Sequence, residues 1–351
     1  MKKLIFYTLI IITNLNYSQD VHFSQFDNTP LNLNPSLTGL FFGDQRANIN
    51  FKDQWRSIGK TYRTYYVSYD QGILKDKIKN GYLGLGGIIY SDKAGDLNMG
   101  KTAAQLNFSS LIEVNRNQLF SAGIYLGYTQ HSIDFTAGQW DEQFNGVNYN
   151  SALPSNENSL NYSSWGNFDI GAGLNWYYEF GESTISSYDA FKMNIGISAS
   201  HLNKSKLKYT VGNSSTQETL DTKIIAHANS FIGIKNSKAA FIPSIMIAIQ
   251  GPSTEIIGGL LYRVRLHQAS KYTGFYKESA MYFGGYYRLS DAIVPTLGFE
   301  FDHFAVGISY DTNISQLTSS TNFNGGFELT LRFVNPNPFT YSKTSNKPMM
   351  R

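Results

Sequence analysis

The stretch Asn322-Phe323-Asn324-Gly325-Gly326-Phe327-Glu328-Leu329-Thr330-Leu331-Arg332-Phe333 decides how the chain is read. Phe323, Gly325, Phe327, Leu329, Leu331 and Phe333 fall on one parity, and Asn322, Asn324, Gly326, Glu328, Thr330 and Arg332 on the other. Side chains of a strand alternate between two faces, so one face is apolar and the other polar and charged. A soluble antiparallel sheet can carry the same alternation. Length separates the two readings, because a strand that crosses a bilayer at a tilt needs about 9–11 residues. The run has that length and reads as the closing strand of a transmembrane barrel.

The pattern recurs back along the whole chain. Arg46 to Phe51 and Arg63 to Gln71 alternate, and Gly81 to Tyr90 is a weaker, glycine-rich member. Thr102 to Ile112, Phe120 to Tyr128, Asn167 to Phe180 and Phe191 to Ala199 follow. Ile224 to Ile234, Ala240 to Ile249, Glu255 to Leu266, Ala280 to Leu289, Val294 to Asp302 and Phe304 to Tyr310 complete the series. This predicts an all-β, antiparallel transmembrane barrel of about 14 strands. Connections at Asn115-Arg116-Asn117, Lys235 to Lys238 and Asp302-His303 are short and fall on one side. Those at Asp134–Ser164, His201–Asp221 and Asp311–Thr321 are long and fall on the other. Outer-membrane barrels have short periplasmic turns and long extracellular loops, which sets the expected orientation.

Composition agrees. Charged residues are 16% of the 351, well under the roughly 25% of soluble domains, while 24 Tyr and 24 Phe suit lipid-facing bands with aromatic girdles. The formal charge of +3 becomes 3 − 2 = +1 once Lys2 and Lys3 are removed with a leader, and no basic run points to nucleic acid. With 0 Cys there is no disulfide, thiolate zinc site, cysteine nucleophile or lipobox.

Residues 1–18 read as a signal peptide: Lys2 and Lys3, a short apolar run from Leu4 to Ile12, and cleavage near Ser18/Gln19. Residues 19–43 hold Pro30 and Pro35, and their spaced Phe23, Phe26, Leu31, Leu33 and Leu37 predict an irregular segment packed at or in the barrel. Residues 44–334 form the barrel. Residues 335–351 form a polar tail, in which Pro336, Pro338 and Pro348 oppose regular structure.

Several motifs resemble the PorP/SprF family of Bacteroidetes outer-membrane proteins, associated with type IX secretion and gliding motility. They are His22-Phe23-Ser24-Gln25-Phe26, Pro30-Leu31-Asn32-Leu33-Asn34-Pro35, Arg46 to Trp55, Ser68-Tyr69-Asp70, Asp291-Ala292-Ile293-Val294-Pro295, Ser309-Tyr310-Asp311 and Gly325-Gly326-Phe327-Glu328-Leu329. Asn34, Pro35, Gln54, Trp55, Tyr69, Pro295, Tyr310, Asp311, Gly326 and Phe327 are the motif positions singled out. The resemblance implies an outer-membrane barrel without catalysis or cofactor. It also implies a role with surface adhesins and periplasmic secretion components.

No catalytic or metal constellation emerges. The histidines His22, His131, His201, His227, His267 and His303 lack the close spacing of a helical zinc site. A passive diffusion pore is the alternative function, and a barrel hydrolase a third, minority use of the architecture. One candidate site comes from strand parity. Arg46, Asp70, Glu328 and Arg332 all lie on polar parities near the seam where the last strand meets the first. They are expected to point into the lumen as one charged cluster, either a charged plug or partner-docking site or a solvated wall that pins register.

Overall fold

In the computed structural model, which describes residues 20–56, 60–75, 77–134, 137–154, 164–181, 190–206, 219–267, 277–315 and 318–335, the alternation closes on itself. The strands are β1 (Gln45–Gln54), β2 (Tyr62–Ile73), β3 (Gly81–Ala94), β4 (Met99–Asn115), β5 (Gln118–Ser132), β6 (Ser164–Phe180) and β7 (Phe191–Ser200). They continue as β8 (Lys223–Gly233), β9 (Ala239–Gln250), β10 (Ser253–His267), β11 (Ser279–Arg288), β12 (Ala292–Phe301), β13 (Phe304–Asn313) and β14 (Asn324–Asn335). Each pairs antiparallel with its neighbours in sequence, and β14 pairs with β1 from Gln45↔Asn335 to Gln54↔Gly326. The result is a closed 14-stranded barrel with no free edge. No helix among the described residues is long and apolar enough to cross a membrane.

The apolar parity faces outward. In β14 Phe327, Leu329 and Leu331 are exposed while Glu328 and Thr330 are buried. The same holds round the wall, with Leu106, Ile124, Leu174, Ile197, Leu260 and Leu297 outside. Aromatic rings cluster near the strand ends. Phe120, Trp176, Tyr178 and Phe191 contact in series at one rim, and Trp55–Tyr62 and Tyr128–Phe168 meet at the other. Proline interrupts the ladder where its missing N–H requires it. Pairing skips Pro243 between β8 and β9, and Val294-Pro295 between β12 and β13.

Connections after odd-numbered strands share one rim, here the long-loop rim, and those after even-numbered strands share the short-turn rim. The expected asymmetry rests on a few connections. Residues 133–163, 201–222 and 314–323 are long, but 251–252 and 289–291 on the same rim are tight. On the opposite rim 116–117 and 302–303 are tight, whereas 181–190 and 268–278 are not.

Inside the barrel lies the segment from Asp20 to Gly43, here the strap. It is built from short helical turns at Phe26–Asn28, Pro30–Leu33 and Pro35–Leu37. Pro30 and Pro35 each sit in the first turn of a helical piece, where an N–H is not needed. Phe23, Phe26, Leu31, Leu33, Leu37 and Leu40 are all buried. They pack against the inward side chains of two apolar clusters, one including Tyr82, Leu111, Met246, Ile257, Tyr286 and Val294, the other Tyr66, Ile88 and Tyr90. Each such side chain contributes about 1.5–3 kcal/mol on burial. The expected signal peptide (1–18) and its cleavage site, and the tail beyond Asn335, lie outside the described residues.

Candidate functional site: the strap inside the lumen

An irregular backbone buried inside a barrel leaves N–H and C=O groups that need partners. The inward polar residues of the strands supply them. At the seam, Glu328 accepts from the backbone N–H groups of Ser24 and Gln25 at 2.9 and 3.0 Å. Opposite it in register stands Lys52, whose Nζ donates to the His22 carbonyl at 3.0 Å and lies 4.0 Å from Asp311. Asp311 accepts from the Ser24 hydroxyl at 2.7 Å and from Arg288 at 2.7 Å, and Arg288 also pairs with Asp291 at 2.6 Å. Lys52, Arg288, Asp311 and Glu328 thus bring two positive and two negative charges together, all buried. Charges taken out of water are tolerable only when paired in this way.

Midway down, Asn34 is the pivot. Its Oδ1 accepts from the Ser36 N–H at 2.9 Å. Its Nδ2 donates to the carbonyls of Leu174 and Ile197 at 3.1 and 3.2 Å and lies 3.1 Å from His227 Nε2. Ser198 and Ser109 donate to the Leu33 and Thr38 carbonyls at 2.7 and 2.6 Å. Inward glycines make this approach possible. A Cβ at Gly84, Gly123 or Gly173 would collide with Thr38, Pro35 or Asn34 respectively. Towards the short-turn rim, Asp70 accepts from the Gly39 N–H at 2.8 Å and from Arg46 Nε at 2.9 Å, while Arg46 also donates to the Leu37 carbonyl at 3.1 Å.

The four seam residues read from parity all point inward, yet they do not form one cluster. Arg46 and Asp70 form a close ion pair, 2.8 Å, near the short-turn rim. Glu328 faces Lys52 in the other half of the seam, because antiparallel register sets Arg46 opposite Val334. Arg332 reaches a different partner, Glu300, at 3.5 Å, beside the Arg263–Glu300 pair. Nor is this a solvated wall, since Asp70 and Glu328 have 0% exposure beneath the strap. The parts played by Lys52, Arg288 and the inward glycines were not read from the sequence, although Gly123 and Gly173 lie on polar parities; Gly84 lies on a face of β3 that carries Tyr82, Ile88 and Tyr90.

The profile of the family described as type IX secretion system membrane protein PorP/SprF matches residues 15–333. The chain belongs to that family. Among curated proteins none matches. Of solved structures, the CymD monoaromatic hydrocarbon channel is 10% identical over 90% of this chain and 94% of its own, with a TM-score of 0.46. CdiB from Acinetobacter baumannii is 8% identical over 83% of this chain and 60% of its own, with a TM-score of 0.41. BamA from Haemophilus ducreyi lacking POTRA domains 1–3 is 8% identical over 83% and 70%, with a TM-score of 0.38. Likenesses this distant carry no argument about what the chain does.

The motif positions of this PorP/SprF barrel divide between strap anchoring and the seam. Asn34, Pro35 and Asp311 hold the strap. Gln54 and Gly326 are paired across the closing seam. Trp55 follows with a left-handed φ of 57°, donating its N–H to the Gly325 carbonyl at 2.8 Å, which extends the seam by one residue as β1 ends. Tyr69, Tyr310 and Phe327 face outward, with the Tyr310 hydroxyl donating to Asn324 at 2.9 Å. Pro295 sits at the interruption between β12 and β13. Among the described residues no group of three or more His, Asp or Glu could hold a metal ion.

Proposed function

We propose that this barrel is a non-catalytic outer-membrane component of the type IX secretion and gliding machinery. It helps to export, receive or anchor large surface adhesins by protein–protein docking, with periplasmic secretion components as further partners and the long-loop rim facing the cell exterior. Cleavage of the leader near Ser18/Gln19 delivers the chain to the outer membrane.

The observation that carries the reading is the filled lumen. The strap packs a hydrophobic core where a porin has a water channel, and polar anchors tie it to strands on all sides. A filled barrel works through its surfaces rather than by permeation. This argues against a passive diffusion pore, the main alternative. A strain lacking the gene tests the proposal. Adhesin is expected to be lost from the cell surface and gliding to stop, and both return with the native chain. Normal surface adhesin in that strain would refute the role.

A further inference from the structure

The strap begins at the long-loop rim, and its first described residue sits in a charged pocket there. Asp20 Oδ2 accepts from His201 Nε2 at 2.7 Å, its Oδ1 is paired with Lys101, and its N–H donates to Gln250 at 3.3 Å. Lys101 is near the start of β4, His201 directly follows β7 and Gln250 ends β9, so three separated parts of the wall converge on one residue, two of them on its carboxylate and Gln250 on its backbone N–H. The other ring nitrogen of His201 lies 2.9 Å from Asp169 Oδ1. An imidazole between two carboxylates donates from both nitrogens and so carries a positive charge. Beside Asp20 a cavity is lined by Lys223, Ala248, Gln250, Ser253 and Glu255.

Burial alone would push the Asp20 carboxyl up, but Lys101, His201 and Lys223 outweigh it and hold it well below the usual carboxylate range. Two positive side chains thus grip this carboxylate directly, and a third lines the small cavity beside it, together with Glu255. The arrangement favours a carboxylate over a neutral group.

We propose that Lys101, His201 and Lys223 form a carboxylate-binding site at the long-loop rim, occupied in this state by Asp20, which an acidic side chain or C-terminal carboxylate of a docking polypeptide takes by displacing Asp20. The displaced strap end then gives up its hold on the wall. The partner's role rests on the docking function proposed above, whereas the site itself does not.

Chemical rescue tests the site on the purified full-length barrel in detergent. Asp20→Ala removes the resident carboxylate and lowers the unfolding temperature seen by heat-modifiable gel mobility. Acetate is expected to restore most of that shift, chloride at equal ionic strength is not, and Asp20→Ala with Lys101→Gln is expected to lose the acetate response. Equal rescue by both salts, or none, would overturn the site. A glutamate-rich peptide is expected to bind the Asp20→Ala chain about tenfold more tightly than the native chain, a difference measurable by calorimetry. Acetate rescue with no peptide binding would overturn the displacement step while leaving the site in place. If Asp20→Ala does not assemble, Asp20→Asn keeps the side-chain volume and carries the peptide comparison, and equal peptide affinity in Asp20→Asn and native chains overturns the proposal.

Discussion

Glu328 shows how one residue is fixed by groups far away in sequence. It holds two strap N–H groups and faces Lys52 across the closing seam. Removing one member of a buried charge network costs about 3–5 kcal/mol, because its partner is left buried and unpaired. Glu328→Ala is therefore expected to lose about that much in urea unfolding followed by gel mobility. Adding Lys52→Met is expected to return part of the loss, while adding Arg46→Met is expected to cause a further loss. If Arg46→Met restored stability instead, the register at the seam would be wrong. His201 gives a pH dependence. Burial disfavours its charge, but Asp20 and Asp169 raise its pKa from 6.5 to about 9. With Lys101 and Lys223 also facing Asp20, the contribution of His201 is full below its unfolded pKa and is lost as pH rises through about 9. The native barrel is expected to soften between about pH 6.5 and 9 more than His201→Gln does, as judged by thermal melts; parallel melts would contradict the clasp.

At the scale of elements, strand parity is a physical statement about which side chains meet lipid. Leu174 on β6 and Ile195 on β7 are outward, with 61% and 41% exposure. A charge near the bilayer midplane costs about 2–4 kcal/mol on the lipid face and less on the lumen face. Leu174→Arg and Ile195→Arg are expected to impair assembly, and Asn194→Arg to do so less, as measured by the fraction of folded barrel recovered from outer membranes. Equal effects on the two parities would mean that these strands do not border lipid. Parity was legible because a period of two needs no long-range information. Arg46 with Asp70 was legible as well, since β1 and β2 are a hairpin and their register follows locally. The Glu328 pairing was not, because it depends on how the first and last strands slide at closure. The strap's contacts were hidden for the same reason. Ser24 meets Glu328 across 304 positions, and nothing local in either stretch names the other.

For the whole molecule, the strap changes what the barrel is. The wall alone would enclose a lumen in which inward Asn, Ser, Asp and Arg side chains meet water beside apolar ones. With the strap inserted, those residues become hydrogen-bond partners of a buried backbone, and Tyr66, Tyr82, Ile257 and Val294 close an apolar core around it. The strap runs from Asp20 at the long-loop rim to the Arg46–Asp70 pair near the short-turn rim, so it spans the lumen from one mouth towards the other. The most direct test of this filled barrel is the single-channel conductance of the full-length protein in a planar bilayer. The filled lumen predicts insertion without steady open-channel steps. A stable ohmic conductance of porin size would contradict it and return the chain to the class of diffusion pores.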